Sequence, residues 1–68
     1  DWVPQLSHYA RSGMQVIVTY VEKNGATKRY RMEPLTVTSG YFDGFDVHSS
    51  EVRRIAFHHV TSITLLDQ

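Results

Sequence analysis

The spacing of short apolar runs is the feature of this 68-residue sequence that most constrains its fold. Between Glu33 and Phe57, apolar and polar residues alternate in three runs: Leu35–Val37, Tyr41–Asp46 and Val52–Phe57. Serine, glycine and histidine separate the runs. One strand about every eight to ten residues is typical of a small antiparallel sheet or barrel. The segment therefore predicts three strands joined by tight turns.

The residues before this segment predict a short helix. Asp1 is a candidate cap, and Pro4 suits the first turn because its missing N–H is not needed there. Leu6 and Tyr9 recur at the spacing of one helix face. Gly13 is a typical left-handed residue at a helix end, so we expect the helix to stop there.

A hairpin is predicted after the helix. Gln15–Val21 is rich in β-branched residues, which suit a pleated strand. Asn24-Gly25 follows and is a strong hairpin signal, because both residues accept positive φ. Ala26–Met32 is then the returning strand. Pro34 is expected to end its pairing, because proline has no N–H to donate.

The complete pattern predicts a mainly β fold, a small barrel of five to six antiparallel strands with a short N-terminal helix. Ser62–Leu66 is the last predicted strand, and a single helical turn at His58–Val60 suits the corner before it. We predict one domain over residues 1–68, with the following core: Val16, Val18, Tyr20, Val37, Phe42, Phe45, Ile55, Phe57, Ile63 and Leu65.

The charge of the chain is balanced overall but uneven along its length. The formal net charge of zero argues against generic, salt-dependent binding of nucleic acid. Residues 1–31 nevertheless hold five basic and two acidic residues, whereas residues 32–68 hold two basic and five acidic ones. A local basic patch is therefore compatible with the neutral total.

The composition also bounds the setting of the chain. It contains no cysteine, so disulfides and thiolate metal sites are excluded. No apolar run approaches the roughly 18 residues of a membrane span, and no signal-peptide pattern is present. We expect a cytoplasmic domain without membrane contact. Because the chain opens on Asp1 rather than methionine, we also expect it to be cut from a longer protein.

No catalytic or cofactor motif is present in the sequence. It lacks a nucleophile elbow, a phosphate-binding glycine loop and a dinucleotide fingerprint, so we predict neither enzymatic activity nor a cofactor. His48, His58 and His59 have no recognisable ligand spacing, and we favour a polar corner over a metal site. Asp43 and Asp46 are interpreted as solvated strand-end residues rather than as an acid and base pair.

Basic residues and tyrosines on two predicted strands are the best candidates for a binding surface. Guanidinium groups bind phosphate in a fork, and a tyrosine ring can stack on a base. The predicted contacts for single-stranded nucleic acid or a nucleotide-like anion are Arg29, Arg31, Tyr41 and Arg53. If the register differs by one residue, Arg54 and Tyr30 form the set instead, because a slip reverses every side chain. A solvated face neutralised by Glu33 and Glu51 is the open alternative.

The run "VIVTY…NG…YRMEPL…SGYFDGFD…EVRRIAFHHVTSI" resembles the WYL domain over roughly residues 5–66. Four residues match its pattern, Tyr20, Pro34, Tyr41 and Arg53, and Val60 stands where the family has isoleucine. Other positions depart from it. Gly40 and Phe42 stand where the family has tryptophan and leucine, Ala56 replaces an arginine, and His58-His59 replaces Asp-Arg. The chain is most similar to a divergent form, the C-terminal domain of actinobacterial helicase-associated proteins.

This resemblance implies an SH3-like (Sm-like) barrel and a regulatory role. WYL domains sit beside DNA-binding or helicase-like parts of bacterial proteins, sense nucleic acid or other effectors, and are not catalysts. The resemblance thus implies parent helicase-like or DNA-binding domains as partners. A structural domain that docks to its parent chain, or that self-associates, is the alternative.

Overall fold

The protein is described by a computed structural model that covers residues 1–66. Its elements are α1 (Val3–Ser12), β1 (Val16–Val21), β2 (Thr27–Val37), β3 (Tyr41–Asp46), β4 (Glu51–Ala56), a 3₁₀ turn (Phe57–His59) and β5 (Val60–Leu65). The prediction of a mainly β domain with a short N-terminal helix is confirmed, with five strands in one antiparallel sheet. Among these elements, no helix is long and apolar enough to cross a membrane.

The helix ends at Gly13 as the sequence predicts, but its N-cap residue is Trp2 rather than Asp1. The Oδ1 of Asp1 accepts a hydrogen bond from the N–H of Val3 at 3.1 Å. At the other end, Gly13 adopts a left-handed conformation with φ 67°, and its N–H donates to the carbonyl of Tyr9. Leu6 carries the apolar face of the helix into the core, where it is fully buried.

The sheet has the strand order β4-β3-β2-β1-β5 and is strongly curled. In a flat sheet, the two outer strands would lie roughly 19 Å apart, four spacings of about 4.8 Å. The three residues of the 3₁₀ turn connect them directly. Four Cα–Cα steps of 3.8 Å cover at most about 15 Å, and a 3₁₀ conformation covers less. The sheet must therefore curl until its edges approach, although no ladder between β4 and β5 closes it.

The side of the sheet that packs against α1 is here called the inner face, and the opposite side the outer face. The buried apolar residues of the inner face and helix are Leu6, Val16, Val18, Met32, Phe42, Ile55 and Val60. The Phe42 ring stacks on Phe57 at 5.9 Å between centroids, and the Trp2 ring lies 6.1 Å from Phe57. Phe42 is therefore the largest side chain at the centre of the core.

The predicted core is largely confirmed, with two errors. Phe45 and Leu65 are 36% and 42% exposed, so their assignment to the core is wrong. Phe45 is three residues from the buried Phe42, and an odd spacing on a strand places two side chains on opposite faces. Leu65 does lie opposite the buried Val16, but at the sheet edge, where no further strand covers it.

Pro34 does not end a strand, contrary to the sequence prediction. β2 continues through it to Val37, with a register shift between Pro34 and Thr36. The N–H of Val47 donates to the carbonyl of Arg31, so odd-numbered residues in this part of β2 direct their backbone groups toward β3. The nitrogen of Pro34 points instead toward β1, which begins only opposite Met32. Its missing N–H therefore costs no ladder hydrogen bond.

The turn between β3 and β4 contains the one non-glycine residue with positive φ in residues 1–66, Ser50 at 60°. Left-handed backbone costs an L-residue roughly 1–2 kcal/mol, and glycine avoids this cost. We expect Ser50→Gly to raise the free energy of unfolding by about 0.5–1 kcal/mol, net of the added chain entropy. Urea unfolding measures the change. Ser49→Gly is the matched control and should give no gain; equal gains from both would contradict the strain argument.

Candidate ligand-binding surface

The structure places the predicted contact residues on both faces of the sheet. Cross-strand pairing sets Arg53 opposite the buried Gly44, so Arg53 belongs to the inner face. Arg54 lies opposite Asp43 on the outer face. Arg29 and Arg31 lie opposite Thr19 and Ile17, also on the outer face. The four predicted residues Arg29, Arg31, Tyr41 and Arg53 are therefore not brought together, and neither are Arg54 and Tyr30.

Arg53 lies on the inner face, where it contacts the carboxylate of Asp46 and the ring of Tyr30. Its Nε donates to Oδ2 of Asp46 at 2.6 Å, and its guanidinium carbon lies 5.0 Å from the centre of the Tyr30 ring. A weaker contact of 3.8 Å joins its Nη2 to Oε1 of Glu51. These contacts fix the position of Arg53 and compensate its charge.

Asp46 organises the turn as well as the arginine. Its side chain is buried, and its Oδ1 accepts hydrogen bonds from the N–H groups of His48 at 3.0 Å and Ser49 at 3.3 Å. The hydrogen bond from Arg53 lowers the pKa of Asp46 to about 2, and the backbone donors act in the same direction against the opposing effect of burial. The earlier interpretation of Asp46 as a solvated strand-end residue is wrong, because this carboxylate is buried.

A second arginine, carboxylate and ring unit lies on the outer face. Arg54 donates from Nε and Nη2 to the two carboxylate oxygens of Asp43, at 2.9 and 3.2 Å. Its guanidinium carbon lies 4.1 Å from the centre of the Tyr41 ring. The hydrogen bond from Arg54 also lowers the pKa of Asp43. The Arg54 side chain remains 63% exposed, so its planar group is accessible to a ligand.

Arg29 and Arg31 form the uncompensated part of the outer face. Both are exposed, and Nε of Arg31 donates to Oε1 of Gln15 at 2.8 Å. Among residues 1–66, neither arginine makes an ion pair with a carboxylate. Arg31 and Tyr41 lie near opposite ends of the β2–β3 ladder, about 20 Å apart at 3.3 Å per residue. The outer face therefore has two separate candidate contact points.

An aromatic corner was not anticipated as a site from the sequence. The 3₁₀ turn brings the rings of His58 and His59 to 4.1 Å, and His59 lies 5.2 Å from Tyr20. An open depression of about 420 Å³ is lined there by Tyr20, Glu22, Lys23, Asn24 and His59. Two sequence features pointed to this corner: Tyr20, which matches the family pattern, and the adjacent histidines His58 and His59. In the part of the chain that the structure describes, no cluster of three or more His, Cys, Asp or Glu side chains is arranged to hold a metal.

The outer face also carries exposed apolar side chains between its two contact points. Val52 and Phe45 are a cross-strand pair and are 63% and 36% exposed, and Leu35 lies at the bulge of β2. The sequence prediction missed this patch because it assigned Phe45 to the core.

Comparison with solved structures relates this architecture to a known protein. The chain superposes on proteasome accessory factor B/C (PafBC) of Arthrobacter aurescens with a TM-score of 0.78 and 18% sequence identity. The likeness covers 96% of this chain and 11% of that chain, so the chain spans a small part of that protein. The fold is WYL-like. The sequence matches no protein-family model and no protein in the curated set.

In this WYL-like domain, the residues that match the family pattern do not share one face. Tyr41 lies on the outer face beside Arg54, and Arg53 lies on the inner face beside Tyr30. Tyr20 lies on the inner face and contacts His59, which stands at a departure from the pattern. The arrangement thus separates the basic residue of the pattern from its central tyrosine.

Proposed function

We propose that the chain is a non-catalytic regulatory or accessory module of a cytoplasmic, helicase-associated or DNA-binding bacterial protein. Its ligand is a single-stranded nucleic acid or a related anion, bound at the outer face. Support comes from the fold shared with PafBC, a WYL-domain-containing regulator in which the matched region is a small part of a longer chain. The divergent WYL form of helicase-associated proteins fits the departures at Gly40 and His58.

The observation that carries the proposal is the pair Arg29 and Arg31. Both arginines lie on the same exposed face of β2, two residues apart, and Arg31 is positioned by the neutral Gln15. A guanidinium without a carboxylate partner retains its charge for a phosphate, and in Arg31 only Nε is engaged, by Gln15, which leaves the Nη donors. Arg53 is less suited to bind a phosphate, because the Asp46 carboxylate at its Nε compensates its charge.

The second contact point adds a stacking plane to these charges. Arg54 covers Tyr41 and is fixed by Asp43, so its guanidinium presents a flat, exposed surface on which a base can stack. We therefore assign Arg54, rather than Arg53, to the proposed surface together with Arg29, Arg31 and Tyr41. An extended single strand reaches both points, whereas a mononucleotide reaches one. Glu33 and Asp43 lie on the same face, so the net attraction is weak.

The proposal is tested by titrating the 68-residue chain with a single-stranded DNA oligonucleotide at low salt. Amide chemical shifts are expected to change at Arg29, Arg31, Tyr41 and Arg54. Arg29→Ala/Arg31→Ala should weaken binding and reduce the salt slope by about 1.4, because each phosphate contact on a single strand contributes roughly 0.7. Lys23→Ala/Lys28→Ala removes the same charge elsewhere and is the matched control.

The outcome that would contradict this proposal is specific. Equal weakening by the two double variants would indicate diffuse electrostatic attraction rather than a site. An absence of shifts at millimolar oligonucleotide would remove nucleic acid as the ligand. Inorganic pyrophosphate, titrated in parallel, separates binding of phosphate alone from binding that needs a base.

A protein-interaction module is the second candidate function, and one observation favours it. The patch of Leu35, Phe45 and Val52 on the outer face is apolar, exposed and bordered by charged residues. Patches of this kind are typical of protein contact sites. If the oligonucleotide titration fails while Val52→Asp abolishes association with the remainder of the parent protein, the interaction function is the better one.

A further inference from the structure

The two edges of the sheet differ in their protection against pairing with another strand. β4 carries Glu51, Arg53 and Arg54, whereas β5 has the sequence VTSITL, without charge or proline. Charged residues and proline are the usual means by which proteins protect exposed sheet edges. Within residues 1–66, β5 pairs only with β1. It therefore presents an unprotected edge.

The backbone groups that β5 directs outward can be identified from one hydrogen bond. The N–H of Leu66 donates to the carbonyl of Gln15 at 2.9 Å. Because residues of an antiparallel pair alternate between bonded and non-bonded positions, Thr64 also faces β1. Ile63 and Leu65 consequently direct their N–H and C=O groups away from the sheet.

The side chains at the same positions are apolar and only partly covered. Ile63 and Leu65 lie on the inner face, opposite Val18 and Val16. Both Val18 and Val16 are fully buried, yet Leu65 is exposed because it has a neighbouring strand on one side only. An additional strand beside β5 would supply the missing neighbour.

We propose that β5 pairs with β5 of a second copy of this chain, antiparallel, about a two-fold axis at Thr64. Ile63 then lies opposite Leu65 of the second copy, and Leu65 opposite its Ile63. Each of these two pairs exchanges both N–H···O bonds, so all four outward groups of each strand segment are satisfied. The inner faces of the two copies become continuous, and the exposed leucine packs against an isoleucine.

The sequence of β5 favours a second copy as the occupant. The two-fold register opposes threonine with threonine and isoleucine with leucine, which are favourable cross-strand pairs, and no charges meet. The same operation is less favourable on β4, whose edge carries three charged residues of the kind that protects exposed strands. Since the N–H of Phe57 donates to the carbonyl of Gly40, Val52 and Arg54 direct their backbone groups outward. Every two-fold pairing centred on Arg53 or Arg54 sets that arginine against its own copy, which is destabilising.

The start of β5 limits the extent of the contact. The register with β1 shifts between Thr19 and Tyr20, and Thr61 hydrogen-bonds to the carbonyl of Thr19. Such a bulge disrupts the ladder locally. The regular edge therefore extends from Ser62 to Leu66, and the resulting short interface predicts a weak dimer. This inference is independent of the proposed function, because the outer-face arginines lie on β2 and β4.

Sedimentation equilibrium of the 68-residue chain from micromolar to millimolar concentration tests the proposal. We expect a monomer–dimer equilibrium, with hydrogen exchange at the amides of Ile63 and Leu65 slowing as dimer forms. Thr64→Lys should weaken dimerisation by roughly tenfold or more, because two like charges meet at the axis. Thr27→Lys makes the same substitution at an exposed position of β2, away from β5, and should leave dimerisation unchanged.

A single-cysteine variant provides a second readout that does not depend on affinity. Cα atoms of a non-hydrogen-bonded antiparallel pair lie about 4.5 Å apart, within the range of roughly 4.4–6.8 Å for a disulfide. Thr64→Cys should therefore form a covalent dimer on oxidation faster than Thr27→Cys, the same substitution at an exposed position of β2. A monomer at millimolar concentration, an assembly larger than a dimer, or unchanged dimerisation by Thr64→Lys would overturn the proposal.

Discussion

Replacing Phe42 by alanine is expected to lower the free energy of unfolding by about 3–5 kcal/mol, the usual cost of truncating a fully buried phenylalanine. Phe42 has no exposed surface and stacks on Phe57 at the centre of the core. A small domain has a total free energy of unfolding of roughly 5–15 kcal/mol, so this variant should lose a large fraction of its stability. Denaturant unfolding followed by circular dichroism measures the loss.

Phe45→Ala is the matched control, on the same strand and with the same change of side chain. Phe45 lies on the outer face and is partly exposed, so we expect a loss of about 1 kcal/mol or less. The comparison tests the register of β3 directly. A larger loss of stability for Phe45→Ala than for Phe42→Ala would show that the inner and outer faces are assigned the wrong way round. The assignment of contact residues to the outer face would then be wrong as well.

Replacing Asp46 by alanine is expected to cost about 2–3 kcal/mol at neutral pH, because a buried carboxylate that accepts several hydrogen bonds is lost. The variant removes the partner of Arg53 and the acceptor for the N–H groups of His48 and Ser49. Asp43→Ala is the control and should cost less, because the Asp43–Arg54 pair is exposed to solvent.

Asp46 also predicts the acid behaviour of the fold. Its pKa in the folded state is about 2, below the ordinary value of 3.8, so the ionised form stabilises the fold. This contribution is complete above the unfolded-state pKa and is lost as pH falls from about 4 to about 2. Asp46→Ala should flatten the pH dependence of stability in this interval. If the free energy of unfolding of this variant fell with pH as steeply as that of the wild type, the pKa of Asp46 in the folded state would not be lowered as the geometry implies.

The sequence was sufficient to predict the helix, the strands and most of the core residues, because these depend on local signals. The helix ends at Gly13, the hairpin forms at Asn24-Gly25, and the alternation in β1 correctly identifies Val16 and Val18. Pro34 was misread because the rule that proline ends a strand applies only where an N–H is required. Whether it is required depends on the length of the neighbouring strand, which is a tertiary property.

For the candidate surface, the sequence predicted which types of residue take part but not which of them lie on the same face. Arg53 and Arg54 are adjacent and must lie on opposite faces, but the sequence does not state which arginine joins Arg29 and Arg31. The register of β3 with β4 decides this by pairing Gly44 with Arg53. That register is set by the turn that Asp46 organises, a buried role that no local pattern distinguishes from an exposed aspartate.

The position of β5 has a consequence for how the chain acquires its structure. The pairs β1–β2, β2–β3 and β3–β4 join strands that are consecutive in the sequence, whereas β5 pairs with β1, joining Val60 to Tyr20. Closing a loop of this length costs on the order of 3 kcal/mol in chain entropy before any contact forms. During vectorial synthesis, β1 therefore lacks its second neighbour until nearly all of the described chain has emerged. Until then, Val16 and Val18 are covered on one side only, and the unfinished domain presents a second open edge along β1.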